Sequence, residues 1–460
     1  MLWVKSNLVC IALAIALQTQ NAQAQGDPLG ADEMAKAIVS MSLPVWKGAR
    51  TAAPNRVQRP RAASLVLRSP HALLAVHADP NVDEQTMRLA MIALEHARAR
   101  LDTMGWPSPI SDGDLGGGPE VDLYLTASLP PNAYSDGMVS WTYLDRASTF
   151  AVMSPATPTT MLDACVTAAY ADALLLSLDP AEARTWRRAT IAWLTWELTG
   201  EFGCDEAVTR QQAEPFRSWV TGAAGDGAGG ALWLAFLSAR HDAAPGQFVR
   251  DVWGLASQRT WEGTGLRADP DLWSATESAV EKSGDRLLDN VEEIAVLRWF
   301  VGRGESRNAP IAALDGDARV PVSRQMTRLP SRVIASRPLE SFGSAYVVMN
   351  ADVWDDSPRL RAWLQGEYGV RWSFVAVQLD DHGHEIRRIA SPHTGPTPRA
   401  YLPIEIDDAT RQLLFVVTNL SATLPDADDA DVNERSLALI LDHGDDQLRS
   451  LRQRRQHERS

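Results

Sequence analysis

Cysteine is scarce in this chain of 460 residues: there are three, and Cys10 falls within the first two dozen positions. The other two, Cys165 and Cys204, belong to no Cys-x-x-Cys or Cys/His cluster, which excludes a cysteine-zinc site. The phosphate-cradling Gly-x-x-x-x-Gly-Lys-Ser/Thr is absent, since the glycines at 113–118 are not followed by that pair. No Gly-x-Ser-x-Gly elbow marks a serine nucleophile, and no spacing ties a Ser, a His and an Asp together. No repeat of fixed period is present, which argues against a solenoid or propeller. Beyond residue 24 no stretch approaches the roughly 18 uninterrupted apolar residues that span a bilayer. Basic residues are outnumbered, 44 Lys and Arg against 58 Asp and Glu, for a net charge of −14. Such a surface repels nucleic acid and anionic lipid, so neither is an expected partner.

What is present begins with a leader. Residues 1–24 carry one charge, Lys5, then an apolar run at 8–17, then Ala22-Gln23-Ala24, the small-x-small pattern of a signal-peptidase site. The expected mature protein starts near Gln25, is secreted or periplasmic, and has no transmembrane segment after cleavage. In an oxidising compartment an isolated pair of cysteines forms a disulfide, so Cys165 and Cys204 are expected to be bonded. Two antiparallel helices joined at 178–180 would bring the start of the first beside the end of the second, with the two cysteines at that junction.

Residues 25–62 are interrupted by Pro28, Pro44, Pro54 and Pro60 and carry Arg50, Arg56, Arg59 and Arg61. They read as a linker or pro-segment. From 63 to 301 the texture is α+β. Short apolar runs at 64–68 and 73–79 flank a Pro turn and predict two strands. Met87, Met91, Leu94 and Leu101 form one stripe of a helix over 82–104, closed by Gly105 and Pro107. Strands follow at 121–125 and 149–153, then helices at 160–177, 180–200, 230–258 and 272–301. Residues 302–336 read as a second linker. From 337 to 443 alternating runs at 344–352, 370–379, 385–390, 400–406, 412–419 and 436–441 predict an all-β sandwich, with Asp380-Asp381-His382-Gly383 as a hairpin turn. Residues 444–460, with five arginines from Arg449 to Arg459, read as a basic disordered tail.

The order Ser69-Pro70-His71…His77, helix, Met104-Gly105-Trp106-Pro107…Asp112-Gly113…Val121-Asp122-Leu123-Tyr124-Leu125, then Gly229-Gly230…Trp233-Leu234-Ala235-Phe236-Leu237 and Val249…Val252-Trp253, resembles secreted bacterial zinc metallopeptidases of the gluzincin, thermolysin-like type. The resemblance covers about residues 64–301. It implies a small sheet, a helical hairpin and a helical lower half. In that family the helix after the edge strand bears His-Glu-x-x-His, whose two histidines meet the metal from one helical face while the Glu activates water. Here that helix reads Asp163-Ala164-Cys165-Val166-Thr167-Ala168-Ala169-Tyr170-Ala171-Asp172, and no register supplies a histidine. The next helix offers only Glu197 as a third ligand. The resemblance therefore implies a degenerate frame with no catalytic residues, no metal ligands and no cofactor, and a vestigial cleft between 149–153 and 160–177 marked by Thr167, Tyr170 and Glu197.

Other candidates read as structural. His71 and His77 share no helical face, and His382-Gly383-His384-Glu385 lacks the second half of a zinc motif, because position 388 is Arg. Asp112/Asp114 and the acidic run at 426–433 complete no calcium loop, so solvated turns are expected. Paired acids such as Glu292/Glu293 and Glu197/Glu201 mark an exposed face rather than a glycosidase pair. Of sixteen tryptophans, seven fall in one region: Trp186, Trp193, Trp196, Trp219, Trp233, Trp253 and Trp261. Trp186, Trp193 and Trp196 share one helical face, which points to core packing ahead of an aromatic groove. The function expected is a non-catalytic pseudopeptidase that binds or scaffolds a protein, peptide or glycan. A hydrolase with unrecognised chemistry and a purely structural secreted protein stay open as alternatives.

Overall fold

The computed structural model describes residues 51–52, 57–60, 65–138, 146–204, 207–220, 227–258, 266–268, 270–303, 318–354, 358–368, 370–394, 398–420 and 434–444. The segment read as a leader, residues 1–24, together with Trp261, the acidic run at 426–433 and the arginine-rich tail, lies outside the described residues. The chain is α+β, with a mixed N-terminal half followed by two packed sheets.

The N-terminal sheet holds β1 (Leu65–Arg68), β2 (Leu74–Ala78), β3 (Val121–Leu125), β4 (Asn132–Met138) and β5 (Ala147–Met153), in the spatial order β1-β2-β3-β5-β4. β2, β3 and β5 run parallel, while β1 and β4 are antiparallel edges. The strand at 149–153 is therefore internal, and the edge beside it is β4, which the sequence reading omits.

Side chains alternate across this sheet as the pleat requires. Leu74, Val76, Leu123, Leu125, Ala151 and Met153 face a core shared with α1 (Glu84–Thr103) and α2 (Leu162–Leu178). His77, Asp122, Tyr124, Phe150 and Asp136 face the other way. Asp83 caps α1, its carboxylate accepting from the Thr86 N–H at 2.8 Å, and Gly105 ends the helix region at φ +77°.

α2 is apolar on nearly every side and is buried accordingly. With its lead-in it forms Thr159–Leu178, long and apolar enough by length and composition to cross a membrane, with mean hydropathy 1.5. Asp163 and Asp172 interrupt its apolar run, so it is not the uninterrupted stretch of roughly 18 apolar residues that the sequence lacks past residue 24. In the fold 78% of that window is buried, packed between the sheet, α1 and α3 (Arg184–Thr199).

Asp179 makes the turn between α2 and α3, its carboxylate accepting from the N–H groups of Ala181 and Glu182. After α4 (Ala207–Ala213), the helix expected at 230–258 is two, α5 (Ala231–His241) and α6 (Gln247–Ala256), parted at Pro245-Gly246. The helix expected at 272–301 is likewise α7 (Leu272–Lys282) and α8 (Leu287–Phe300), parted at Gly284 with φ +80°. Trp186, Trp219, Trp233 and Trp273 stack together with Phe342 at centroid distances of 4.9–6.5 Å, all buried. These tryptophans are core.

The C-terminal half comprises β6 (Arg324–Met326), β7 (Ser331–Ile334), β8 (Ser344–Asn350), the short α9 (Ala351–Trp354), β9 (Arg359–Gly366), β10 (Trp372–Leu379), β11 (Glu385–Ala390), β12 (Arg399–Glu405), β13 (Gln412–Asn419) and β14 (Leu437–His443). One sheet runs β11-β10-β13-β8-β6 and the other β12-β9-β14-β7. Val347, Phe374 and Phe415 pack across the layer against Leu360, Leu402 and Leu439. β6 and β7 fall inside the stretch expected to be a linker, so the sheets begin earlier than residue 337. The outer face of the first sheet is not solvated. Ala295, Val296, Trp299 and Phe300 of α8 cover Tyr346, Val348, Val375, Val377, Leu414 and Val416, and the Tyr346 hydroxyl donates to the Ala295 carbonyl at 2.6 Å. Burial on both faces explains why β10 and β13 read as continuous apolar runs.

Candidate functional site

Where β4 begins, the sheet edge meets the α2–α3 hairpin around a cavity of about 250 Å³. α2 contributes Cys165, Ala168, Ala169 and Asp172, positions three and four apart that share one helical face. α3 contributes Arg184, Arg188 and Ile191 from its own exposed stripe, and Phe202 closes the far end, stacked on Trp196 at 5.3 Å. Ala168 and Ala169 are half-exposed, so their short side chains leave the hollow that larger residues would fill.

The Cys165–Cys204 disulfide forms part of the wall, joining the first turn of α2 to the segment after α3 with a Cα–Cα distance of 5.2 Å. It lies where the helical-hairpin argument placed it. Asp172 is the one carboxylate lining the cavity among the described residues. Its two oxygens are engaged, one with Arg187 Nε at 2.8 Å and the other accepting the Ala133 N–H of β4 at 2.7 Å. That second bond ties the edge strand to the hairpin.

The residues chosen from the sequence lie elsewhere. Thr167 and Tyr170 are each 1% exposed, turned into the core rather than into the hollow. Burial pushes the Tyr170 hydroxyl up to about 12, with Arg98 of α1 acting in the opposite direction. Glu197 sits on the exposed surface of α3, its carboxyl held above the ordinary range by partial burial and then by the charge of Asp242. The sequence reading is corrected on all three: the cleft face of α2 is the 165/168/169/172 stripe, one step around the helix.

Asp172, Arg184 and Arg188 were missed, although a signal was available. The first turns of α3 hold Arg184, Arg187 and Arg188 and no acid, against the preference of a helix N-terminus for negative charge. Cations placed there answer to something outside the helix.

The other histidine and acid candidates separate widely. His71 is exposed after its Pro turn, whereas His77 is buried in the sheet, stacked on Tyr124 at 4.5 Å with Nε2 2.7 Å from Asp122. His382 and His384 are exposed in the β10–β11 hairpin, their N–H groups donating to Asp380. Among the described residues no group of three or more His, Cys, Asp or Glu is arranged to hold a metal ion. A larger depression, about 610 Å³, opens beside α6 between Trp106, Phe248, Arg250 and Lys282. Its Arg250 is already engaged by the Met104 carbonyl and Asp251. The smaller cavity, set against a sheet edge, is the better candidate.

No family model and no curated protein matches this chain. Among solved structures it is similar to the pre-peptidase C-terminal domain of collagenase from Bacillus anthracis, at 11% identity over 26% of this chain and 96% of that domain. The TM-score is 0.19, and at that level the likeness carries no functional weight.

Proposed function

We propose that this protein is a non-catalytic, pseudopeptidase-like binding protein that works outside the cytoplasm and takes an extended peptide along β4. The observation that carries the reading is the edge strand itself. Among the described residues β4 pairs with β5 alone, and its start opens onto a cavity lined by Ala168, Ala169, Ile191 and Phe202. An extended peptide can add to such an edge through main-chain hydrogen bonds beyond Ala133, whose N–H is taken by Asp172, while one apolar side chain fills the hollow.

Binding is favoured over chemistry because the one carboxylate that lines the cavity among the described residues is held by Arg187 on one oxygen and by the Ala133 N–H on the other, a role in fixing the strand and the hairpin. A zinc-peptidase ancestry is consistent with this reading: the two cleft-facing pairs spaced as the histidines of that motif are Cys165/Ala169 and Ala168/Asp172. The Cys165–Cys204 disulfide suits an oxidising compartment.

Fluorescence anisotropy against a library of extended peptides bearing one apolar anchor tests the proposal. Hits should lose at least tenfold in affinity with Ala169→Trp, which fills the hollow from a half-exposed position. Hits that bind this variant unchanged, or that emerge cleaved, refute it.

A further inference from the structure

On the face of the N-terminal sheet opposite α1 and α2, a second site is built from polar groups. Arg59, from the described segment 57–60, reaches onto this face and is 91% buried at its side chain, being only 9% exposed. Its guanidinium forks onto Asp136, Nε to one oxygen at 2.7 Å and Nη2 to the other at 2.5 Å. The same group pairs with Asp122 through Nη1 and with Asp112 through Nη2. The side chains of the three aspartates are 1%, 1% and 6% exposed for Asp112, Asp122 and Asp136.

Phe150 lies beneath, its ring centre 5.0 Å from the guanidinium carbon, so the cation is held in plane by carboxylates and from one face by an aromatic ring. Gly116 closes the far wall: a Cβ there would overlap the Asp122 carboxylate, so only glycine lets the loop approach. His77 fixes the second oxygen of Asp122.

Burial alone would lower the Arg59 pKa, but Asp136 first, with Asp112 and Asp122, outweighs it and holds the group above its ordinary value. Three buried carboxylates around one cation are a poor way to stabilise a fold, since apolar residues of similar volume do so without the desolvation cost. Such an arrangement is good at one thing, distinguishing a planar guanidinium from an ammonium by paired hydrogen bonds and ring stacking.

We infer that this face is an arginine receptor: a pocket of Asp112, Asp122, Asp136 and Phe150 that seats one guanidinium, filled by Arg59 within the chain and open to an arginine of another polypeptide when segment 57–60 withdraws. The inference stands apart from the cleft, which lies on the opposite face of the sheet. Segment 57–60 is then an internal ligand, carried on a stretch with Arg50, Arg56 and Arg61 close by.

The test uses the full chain with Arg59→Ala and a synthetic peptide of residues 54–64, titrated by calorimetry. The variant should bind the peptide one to one, and the unaltered protein at least tenfold more weakly. Replacing the peptide's arginine at position 59 by lysine, or adding Asp136→Asn to the variant, should each cost at least tenfold. An Arg59→Ala protein of native near-ultraviolet dichroism that ignores the peptide, or binds the lysine form equally, overturns the inference. Should that variant fail to fold, the unaltered protein supplies a second readout. Excess peptide should displace the internal segment and speed tryptic cleavage after Arg61 several-fold. No acceleration, or equal acceleration by a peptide with alanine at position 59, overturns the inference as well.

Discussion

Removing the Cys165–Cys204 bridge is the perturbation whose size can be worked most directly. The bridge closes a loop of sequence separation 39. In the chain-entropy treatment a loop of that length restricts the unfolded ensemble by about 4 kcal/mol at 25 °C. For a cooperative unit of 150–250 residues, that corresponds to a fall in melting temperature of roughly 8–16 °C. The effect has a local face too, because the bridge is part of the cavity wall and anchors the segment bearing Phe202 to α2. The Cys165→Ala/Cys204→Ala protein should therefore melt lower and bind cleft ligands more weakly, while Arg59 contacts on the opposite face are unaffected. Scanning calorimetry of oxidised, reduced and double-variant protein provides the comparison, with alkylation and mass spectrometry to count free thiols. Reduced protein and double variant melting within about 2 °C of the oxidised form, or two alkylatable thiols in the untreated folded protein, would refute the reasoning.

Three further outcomes are expected. Asp172→Ala leaves Arg187 buried without its ion-pair partner and should destabilise by about 3–5 kcal/mol in urea titrations, with Arg187→Met on the same chain restoring part of the loss; absence of coupling between the two counts against the pair. Asp112 is raised to about 6, burial raising it, Arg59 lowering it and Asp122 and Asp136 raising it. A carboxyl raised on folding contributes stability that is present below its unfolded pKa and lost as pH rises through about 6. Asp112→Asn should thus gain stability relative to the unaltered protein as pH rises from 4 to 7, and a constant difference in melting temperature across that range would contradict the assignment. Phe300→Ala opens a cavity between α8 and the β8–β10–β13 sheet and should cost about 3–5 kcal/mol, with tryptophan fluorescence and far-ultraviolet dichroism shifting in one coincident transition. Two separated transitions would mean that the halves unfold independently.

Much of the fold is legible from periodicity. The stripe of α1, the ends marked by Gly105 and Pro107, the helical hairpin and most strands of the C-terminal half follow from spacing and turn chemistry. What is not legible has identifiable causes. β4 reads Asn-Ala-Tyr-Ser-Asp-Gly-Met, a string of turn formers held extended because β5 pairs with it and Asp172 ties down its outer N–H. β9 alternates cleanly, Leu360, Ala362 and Leu364 inward, but its flanking charges disguise it as loop. β6 and β7 are three and four residues long, too short for any period to register.

The cleft residues were missed for a deeper reason. α2 is apolar all round, so its sequence cannot say which side meets the sheet and which the hollow. Only the neighbours decide, and Thr167 and Tyr170 fall on the covered side.

The helix that caps the C-terminal sheet has a consequence for how the chain is made. α8 ends at Phe300, yet β13, the strand at the centre of its landing surface, begins only at Gln412. During synthesis the Val296, Trp299 and Phe300 face therefore emerges long before anything exists to cover it, and for that interval it is a sticky surface on a half-finished molecule. A chain stopped before β13 would leave the apolar face of α8 without the strand at the centre of its landing surface, and would be prone to aggregate.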